Sequence, residues 1–72
     1  MQHHYHIDLA WSDEDQAWIA RVPDLRGCTA HGETAAEAAD EIQVAIGLWL
    51  RGAKERGYEI PTPSYKPKSA AA

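Results

Sequence analysis

The first part of the chain alternates between apolar and polar positions. Between residues 5 and 12, every second position is apolar: Tyr5, Ile7, Leu9 and Trp11. A period of two predicts a β-strand with one apolar face. The next residues, 12–16, are polar and few, which suits a hairpin connection to a second strand.

Two further strands follow from the same pattern. Residues 17–22 place Trp18, Ala20 and Val22 on one face and Ile19 on the other. Pro23 lacks the N–H that a ladder needs, so this strand is expected to end there or to run along an edge. Residues 28–31 can form a short third strand that is closed by a glycine.

The apolar spacing changes to that of a helix after residue 34. Thr34 and Glu37 have the spacing of a capping box, which marks a helix N-terminus. Steps of about 100° per residue place one apolar stripe on the helix: Ala35, Ala38, Ala39, Ile42, Ala45, Ile46, Trp49 and Ala53. Gly57 is the predicted C-terminal stop. The stripe is wide enough to pack against the apolar face of the sheet.

These elements predict an α+β fold of the order β-β-β-α, with a three-stranded antiparallel sheet and one long helix on one of its faces. Tyr58 and Ile60 allow a fourth strand at an edge. Three of the four prolines lie at or after residue 61, which favours an extended or disordered segment. We therefore predict one domain at residues 1–61 and a tail at residues 62–72.

A chain of 72 residues buries a small core, so its stability is expected to need a supplement. Cys28 is the only cysteine, which excludes an internal disulfide. Self-association is the remaining source of buried surface. Val44 and Leu48 lie on the polar side of the predicted helix, as isolated surface residues or as an oligomer interface.

The charge of the chain bears on its partners. Eleven acidic residues stand against seven basic ones, for a net charge of −4. Nucleic-acid binding depends on clustered Lys and Arg that neutralise phosphates, and the basic residues are scattered here. The sequence therefore favours a basic protein as the partner and disfavours direct binding to nucleic acid.

The candidate chemical sites all have a simpler structural interpretation. The histidines His3, His4 and His6 lack the four-ligand set of a structural zinc site. The acidic run at residues 13–15 lacks the glycine and terminal glutamate of a calcium loop. Cys28 falls in a predicted strand, where a lone cysteine is usually a small buried apolar residue. We therefore predict no catalytic residue, metal or cofactor, and a protein that is not an enzyme.

No run of about 18 apolar residues exists, and the first residues lack the basic and apolar segments of a secretion signal. A lone thiol also fits a reducing compartment. These features predict a cytoplasmic protein without a membrane span.

Several motifs, in their order and spacing, resemble the HicB antitoxin family, which includes short stand-alone HicB-like proteins. They are the aromatic Trp18 that opens the second strand, Pro23-Asp24-Leu25-x-Gly27-Cys28, Gly32-x-Thr34, Glu37-Ala38, the acidic hairpin Asp13-Glu14-Asp15, and Ile60-Pro61. The resemblance covers residues 5–64. No single motif is specific, but their combination is.

The resemblance implies a partial RNase H-like fold without a working nuclease site. HicB proteins of type II toxin–antitoxin systems neutralise HicA, a small basic mRNA-cleaving toxin of double-stranded-RNA-binding fold, by covering its surface and active-site histidine. They commonly form dimers or tetramers, and many carry a C-terminal DNA-binding domain. Only eleven residues follow Pro61, so operator binding is not expected.

The sequence therefore predicts a non-catalytic, antitoxin-like module that binds a HicA-type toxin and forms a homo-oligomer. The expected toxin contacts are Asp13, Glu14, Asp15, Glu37 and Glu41, and the expected oligomer contacts are Val44 and Leu48. One alternative is a stand-alone HicB-like regulatory or nucleic-acid-binding protein without a cognate toxin. Another is a hydrolase, suggested only by the RNase H-like fold.

Overall fold

The computed structural model describes residues 4–64, in three strands and one helix. The strands are β1 (Asp8–Ser12), β2 (Ala17–Arg21) and β3 (Thr29–Gly32), and the helix is α1 (Ala35–Glu55). β2 lies between β1 and β3 and is antiparallel to both. The α+β fold predicted from the sequence, with β-β-β-α order, is confirmed.

The first hairpin begins later than the alternation predicts, at Asp8 instead of Tyr5. Asp8 pairs with Arg21, so a longer ladder would bring His6 opposite Pro23, which has no N–H to donate. The turn at the other end is held by its own side chains. The Ser12 hydroxyl accepts from the Asp15 N–H at 3.2 Å.

The connection between β2 and β3 folds around the side chain of Leu25, which is fully buried. The Leu25 N–H donates to the Val22 carbonyl at 3.1 Å, and the Val22 N–H donates to the Cys28 carbonyl at 3.1 Å. Gly27 adopts φ +77°, a conformation that favours glycine. Because Cys28 belongs to this connection, β3 begins at Thr29 and extends to Gly32, one residue later than predicted.

The ends of α1 have the capping interactions that the sequence predicts. The Thr34 hydroxyl accepts from the Glu37 N–H at 3.1 Å, and the Glu37 carboxylate accepts from the Glu33 N–H at 2.9 Å. At the C-terminus, Gly57 adopts φ +75°, and the Tyr58 N–H donates to the Ala53 carbonyl at 2.8 Å. This is a Schellman arrangement, which satisfies carbonyls that the helix leaves free.

The helix packs mainly over β3 and β2, and the core lies between them. The buried cluster consists of Tyr5, Ala20, Val22, Leu25, Cys28, Ala38, Ile42 and Ile46. The predicted helix stripe is confirmed, since its members are buried or half-buried. The apolar face of β1 extends beyond the helix, so Leu9 and Trp11 remain 39% and 45% exposed.

The segment after the helix returns to the sheet without joining it. Tyr58 and Ile60 form no strand, so the fourth edge strand that the sequence allows is absent from residues 4–64. Instead, the Tyr5 hydroxyl donates to the Pro61 carbonyl at 2.5 Å, and the Ser64 N–H donates to the Asp24 carboxylate at 2.9 Å. Side chains, rather than a ladder, therefore hold this segment. The proposed domain boundary at residue 61 stays a prediction.

Replacing Tyr5 with phenylalanine is expected to lower the free energy of unfolding by about 0.5–1.5 kcal/mol, because the bond to Pro61 is lost. Burial and, second, the charge of Asp24 raise the pKa of the Tyr5 phenol above its usual value of 10.0. The neutral phenol therefore stabilises the fold below pH 10, and this contribution disappears as the pH rises through the folded-state pKa.

The measurement is urea unfolding of both proteins between pH 7 and 11, with Tyr58→Phe at an exposed site as the control. The stability difference between wild type and Tyr5→Phe should shrink above pH 10. A difference that stays constant across this range would show that the Tyr5 phenol does not contribute in this way.

Candidate partner-binding surface

The turn of the first hairpin and the start of the helix lie at the same end of the molecule. Trp18 pairs with Trp11 on one side and with Gly32 on the other. The hairpin turn extends from this end of the sheet, and the helix begins three residues after Gly32. Segments that are distant in the sequence are therefore neighbours at one end of the fold.

This end collects the acidic residues of the chain. Residues 9–20 and 27–50 contain no Lys or Arg and seven carboxylates: Asp13, Glu14, Asp15, Glu33, Glu37, Asp40 and Glu41. The opposite end holds five basic residues, Arg21, Arg26, Arg51, Lys54 and Arg56, and four acidic ones, Asp8, Asp24, Glu55 and Glu59. We call these the acidic end and the mixed end. Their formal charges are −7 and 5 − 4 = +1.

The three hairpin carboxylates differ in how far the hairpin itself uses them. Asp13 accepts from the Trp11 indole N–H at 2.8 Å, and Asp15 accepts from the Ser12 hydroxyl at 3.1 Å. Glu14 lies between them at the tip and has no hydrogen bond or ion pair within residues 4–64. Because nothing inside the described chain holds Glu14, its carboxylate is available to a partner.

The other predicted contact residues share one face of the helix. Glu37, Glu41, Val44 and Leu48 follow one another at intervals of four, three and four residues, which places them along one stripe. All four are exposed, with Val44 at 58% and Leu48 at 61%. The acidic contacts and the apolar contacts predicted from the sequence are therefore parts of one continuous surface.

A groove at the mixed end was not predicted. It has a volume of about 470 Å³ and is lined by Arg26, Leu48, Trp49, Gly52, Ala53, Arg56 and Tyr58. The Trp49 indole N–H donates to the Arg26 carbonyl at 2.9 Å and fixes one wall. The groove combines an apolar floor with two guanidinium groups, and only the return of the chain at Tyr58 completes it.

The groups that resemble catalytic or metal-binding residues are dispersed or occupied. No three His, Cys, Asp or Glu side chains among residues 4–64 lie where they would hold a metal ion. His6 Nε2 donates to the Asp8 carboxylate at 2.7 Å, whereas His3 lies outside the described residues. Burial raises the pKa of the Cys28 thiol, which disfavours the nucleophilic thiolate. In the described part of the chain, no helix is long and apolar enough to cross a membrane.

The chain has relatives among known proteins. Residues 5–71 match the family described as the HicB-like antitoxin of bacterial toxin–antitoxin systems. The chain is 36% identical over 45 residues to UPF0150 protein ssl0259 of Synechocystis sp., a match that covers 62% of each protein. It is 37% identical over 49 residues to UPF0150 protein Ta0767 of Thermoplasma acidophilum, covering 68% of this chain and 71% of the relative.

No solved structure matches the chain. The partial RNase H-like fold that the family resemblance implies therefore stays a prediction. The observed architecture, three antiparallel strands and one long helix, agrees with the coarser part of that expectation.

Proposed function

Because the chain belongs to the HicB-like antitoxin family, we propose that it binds and neutralises a small basic toxin of the HicA type and catalyses no reaction itself. The observation that carries this proposal is the acidic end, where seven carboxylates and no Lys or Arg share one surface. The toxin–antitoxin role follows from the family. The identity of the toxin follows from the resemblance and from charge complementarity.

The chemistry of an RNA-cleaving toxin explains why an acidic surface would neutralise it. A protein that binds RNA presents Lys and Arg to the phosphates. A rigid surface with a formal charge of −7 competes for the same groups, because carboxylates accept from Arg and Lys as phosphate oxygens do. The antitoxin would therefore exclude RNA by occupying the cationic surface of the toxin.

Within the acidic end, we assign first contact to the hairpin tip. Asp13 and Asp15 rigidify the turn through their bonds to Trp11 and Ser12. Glu14 projects between them without such a bond. A fixed turn that presents a free carboxylate loses little entropy on binding. Exposed charges of this kind act mainly on the association rate, which falls as the salt concentration rises.

Reversing the charge of Glu14 to lysine is expected to weaken toxin binding by roughly tenfold, mostly through a slower association rate. The measurement uses surface plasmon resonance with a catalytically inactive HicA-type toxin from the neighbouring gene, at two salt concentrations. Glu59→Lys is the matched control, because it makes the same charge change at an exposed position of the mixed end.

The proposal fails if the wild-type protein neither binds this toxin nor restores the growth of cells that express it. Equal weakening by Glu14→Lys and Glu59→Lys would contradict the assignment to the acidic end and leave only a net-charge effect. Salt-dependent RNA or DNA binding in a gel shift, without toxin binding, would instead support a stand-alone regulatory protein. The mixed end favours that alternative little, since its net charge is only +1.

A further inference from the structure

The outward face of α1 carries a regular seam of six residues: Glu37, Glu41, Val44, Leu48, Arg51 and Glu55. Their spacing alternates between four and three residues, as in the seam along which two helices pack. We call this set the outer seam. It lies opposite the buried stripe, and its six side chains range from half-exposed to exposed.

The outer seam is polar at both ends and apolar in the middle, with opposite charges on the two sides of its centre. Glu41 precedes the apolar pair Val44 and Leu48, and Arg51 follows it. When such a helix lies antiparallel to a copy of itself, each glutamate meets the arginine of the other copy. The seam is therefore complementary to itself.

We propose that a second copy of this chain docks on the outer seam, with the two helices antiparallel about a two-fold axis near residue 46. Val44 of each copy then contacts Leu48 of the other. Glu41 of each copy pairs with Arg51 of the other, so the two-fold axis doubles every contact. The proposal rests on the seam alone and stands whether or not a toxin is bound.

Two glycines in the helix support a close neighbour on this side. In the described chain, a methyl group at Gly47 would meet no atom within 4 Å, and one at Gly52 would meet only the Arg56 guanidinium at 3.9 Å. Packing within the chain therefore does not require either glycine, although each weakens a helix by about 1 kcal/mol relative to alanine. They flank Leu48, where their bare backbone lets a second helix approach closely.

The groove at the mixed end fits the same arrangement. In an antiparallel pair, the N-terminal half of the second helix lies along the C-terminal half of the first, beside Leu48 and Gly52. Acidic side chains of the second copy then approach the guanidinium groups of Arg26 and Arg56. Glu37 and Glu55 of opposite copies also approach one another, but only at the exposed ends of the seam, where water and Arg56 screen them.

This dimer leaves the hairpin carboxylates free. The second copy covers Glu41, whereas Glu14 lies on the hairpin and not on the helix. Because the helices are antiparallel, the two acidic ends point in opposite directions. Each dimer therefore presents two toxin-binding ends.

A charge exchange across the seam tests the proposal. Arg51→Glu and Glu41→Arg each replace two attractive pairs by two repulsive ones and are expected to weaken dimerisation by roughly ten- to a hundredfold. The double variant Glu41→Arg/Arg51→Glu restores both pairs and should return the dimer to near wild-type affinity. Sedimentation equilibrium over a concentration series measures the dissociation constant.

Control variants separate the seam from general charge effects and from unfolding. Lys54→Glu makes the same charge change as Arg51→Glu on a flank of the helix, and Glu14→Arg does so for Glu41→Arg on the hairpin; both should dimerise like the wild type. Leu48→Glu should give a smaller species with unchanged circular dichroism.

A monomeric wild-type protein would overturn the proposal, and so would single variants that leave the mass unchanged or a double variant that fails to recover. A monomer whose toxin affinity falls with Leu48→Glu would assign the seam to the toxin instead. Dimerisation and toxin binding are measured separately, so one proposal can fail while the other stands.

Discussion

Replacing Gly32 with alanine is expected to lower the free energy of unfolding by about 2–4 kcal/mol, a large part of the stability of a small domain. A methyl group on Gly32 would lie 2.4 Å from the Ala38 nitrogen and 2.7 Å from the Glu37 Cβ. The nearest atom belongs to the helix backbone, so no rotamer change relieves the contact. The start of α1 would have to move away from β3.

The melting temperature measures this effect and should fall by at least about 10 °C. Gly47→Ala is the control, since it adds the same methyl group to a helix position where no atom lies within 4 Å. At low protein concentration, where self-association does not contribute, Gly47→Ala should keep or raise the melting temperature. A melting temperature for Gly32→Ala equal to the wild type would show that the helix does not approach β3 this closely.

Replacing Leu25 with alanine is expected to cost about 2–5 kcal/mol, because the removed atoms leave a cavity in the core. Leu25 is fully buried although it belongs to a connection between strands. The same connection carries Asp24, which holds Ser64, and Arg26, whose carbonyl accepts from Trp49. The substitution should therefore also loosen the return segment and one wall of the groove.

Urea unfolding followed by circular dichroism gives the stability, and the fluorescence of the three tryptophans reports on packing, including that of Trp49. Leu9→Ala is the matched control, because it removes the same atoms from a side chain that is 39% exposed on β1. It should cost less than half as much as Leu25→Ala. Equal losses would contradict a core centred on the β2–β3 connection.

Local signals were sufficient where the cause of a structure is local. Thr34 and Glu37 predict the helix start because their side chains bond to backbone donors within one turn. Gly57 predicts its end because glycine adopts a positive φ at little cost. The strand faces also follow from alternation, as Trp18 and Ala20 confirm.

Strand ends were predicted less well, because the partner strand decides them. Tyr5 continues the apolar alternation, but the register would place its neighbour His6 opposite Pro23, so the ladder stops at Asp8. Leu25 shows the same limit for the core. Its sequence neighbourhood indicates a turn, and only the hydrogen bonds between Val22, Leu25 and Cys28 bury its side chain.

The candidate surface divides in the same way. The sequence by itself determined that the chain is acidic, that its hairpin carries three carboxylates, and that Val44 and Leu48 lie on the outer side of the helix. Only the tertiary structure decided that the hairpin and the helix start form one acidic end, and that the return of the chain at Tyr58 completes a groove. The physical reason is that charge and periodicity are properties of a segment. The distance between two segments depends on strand register and on the direction in which the helix crosses the sheet.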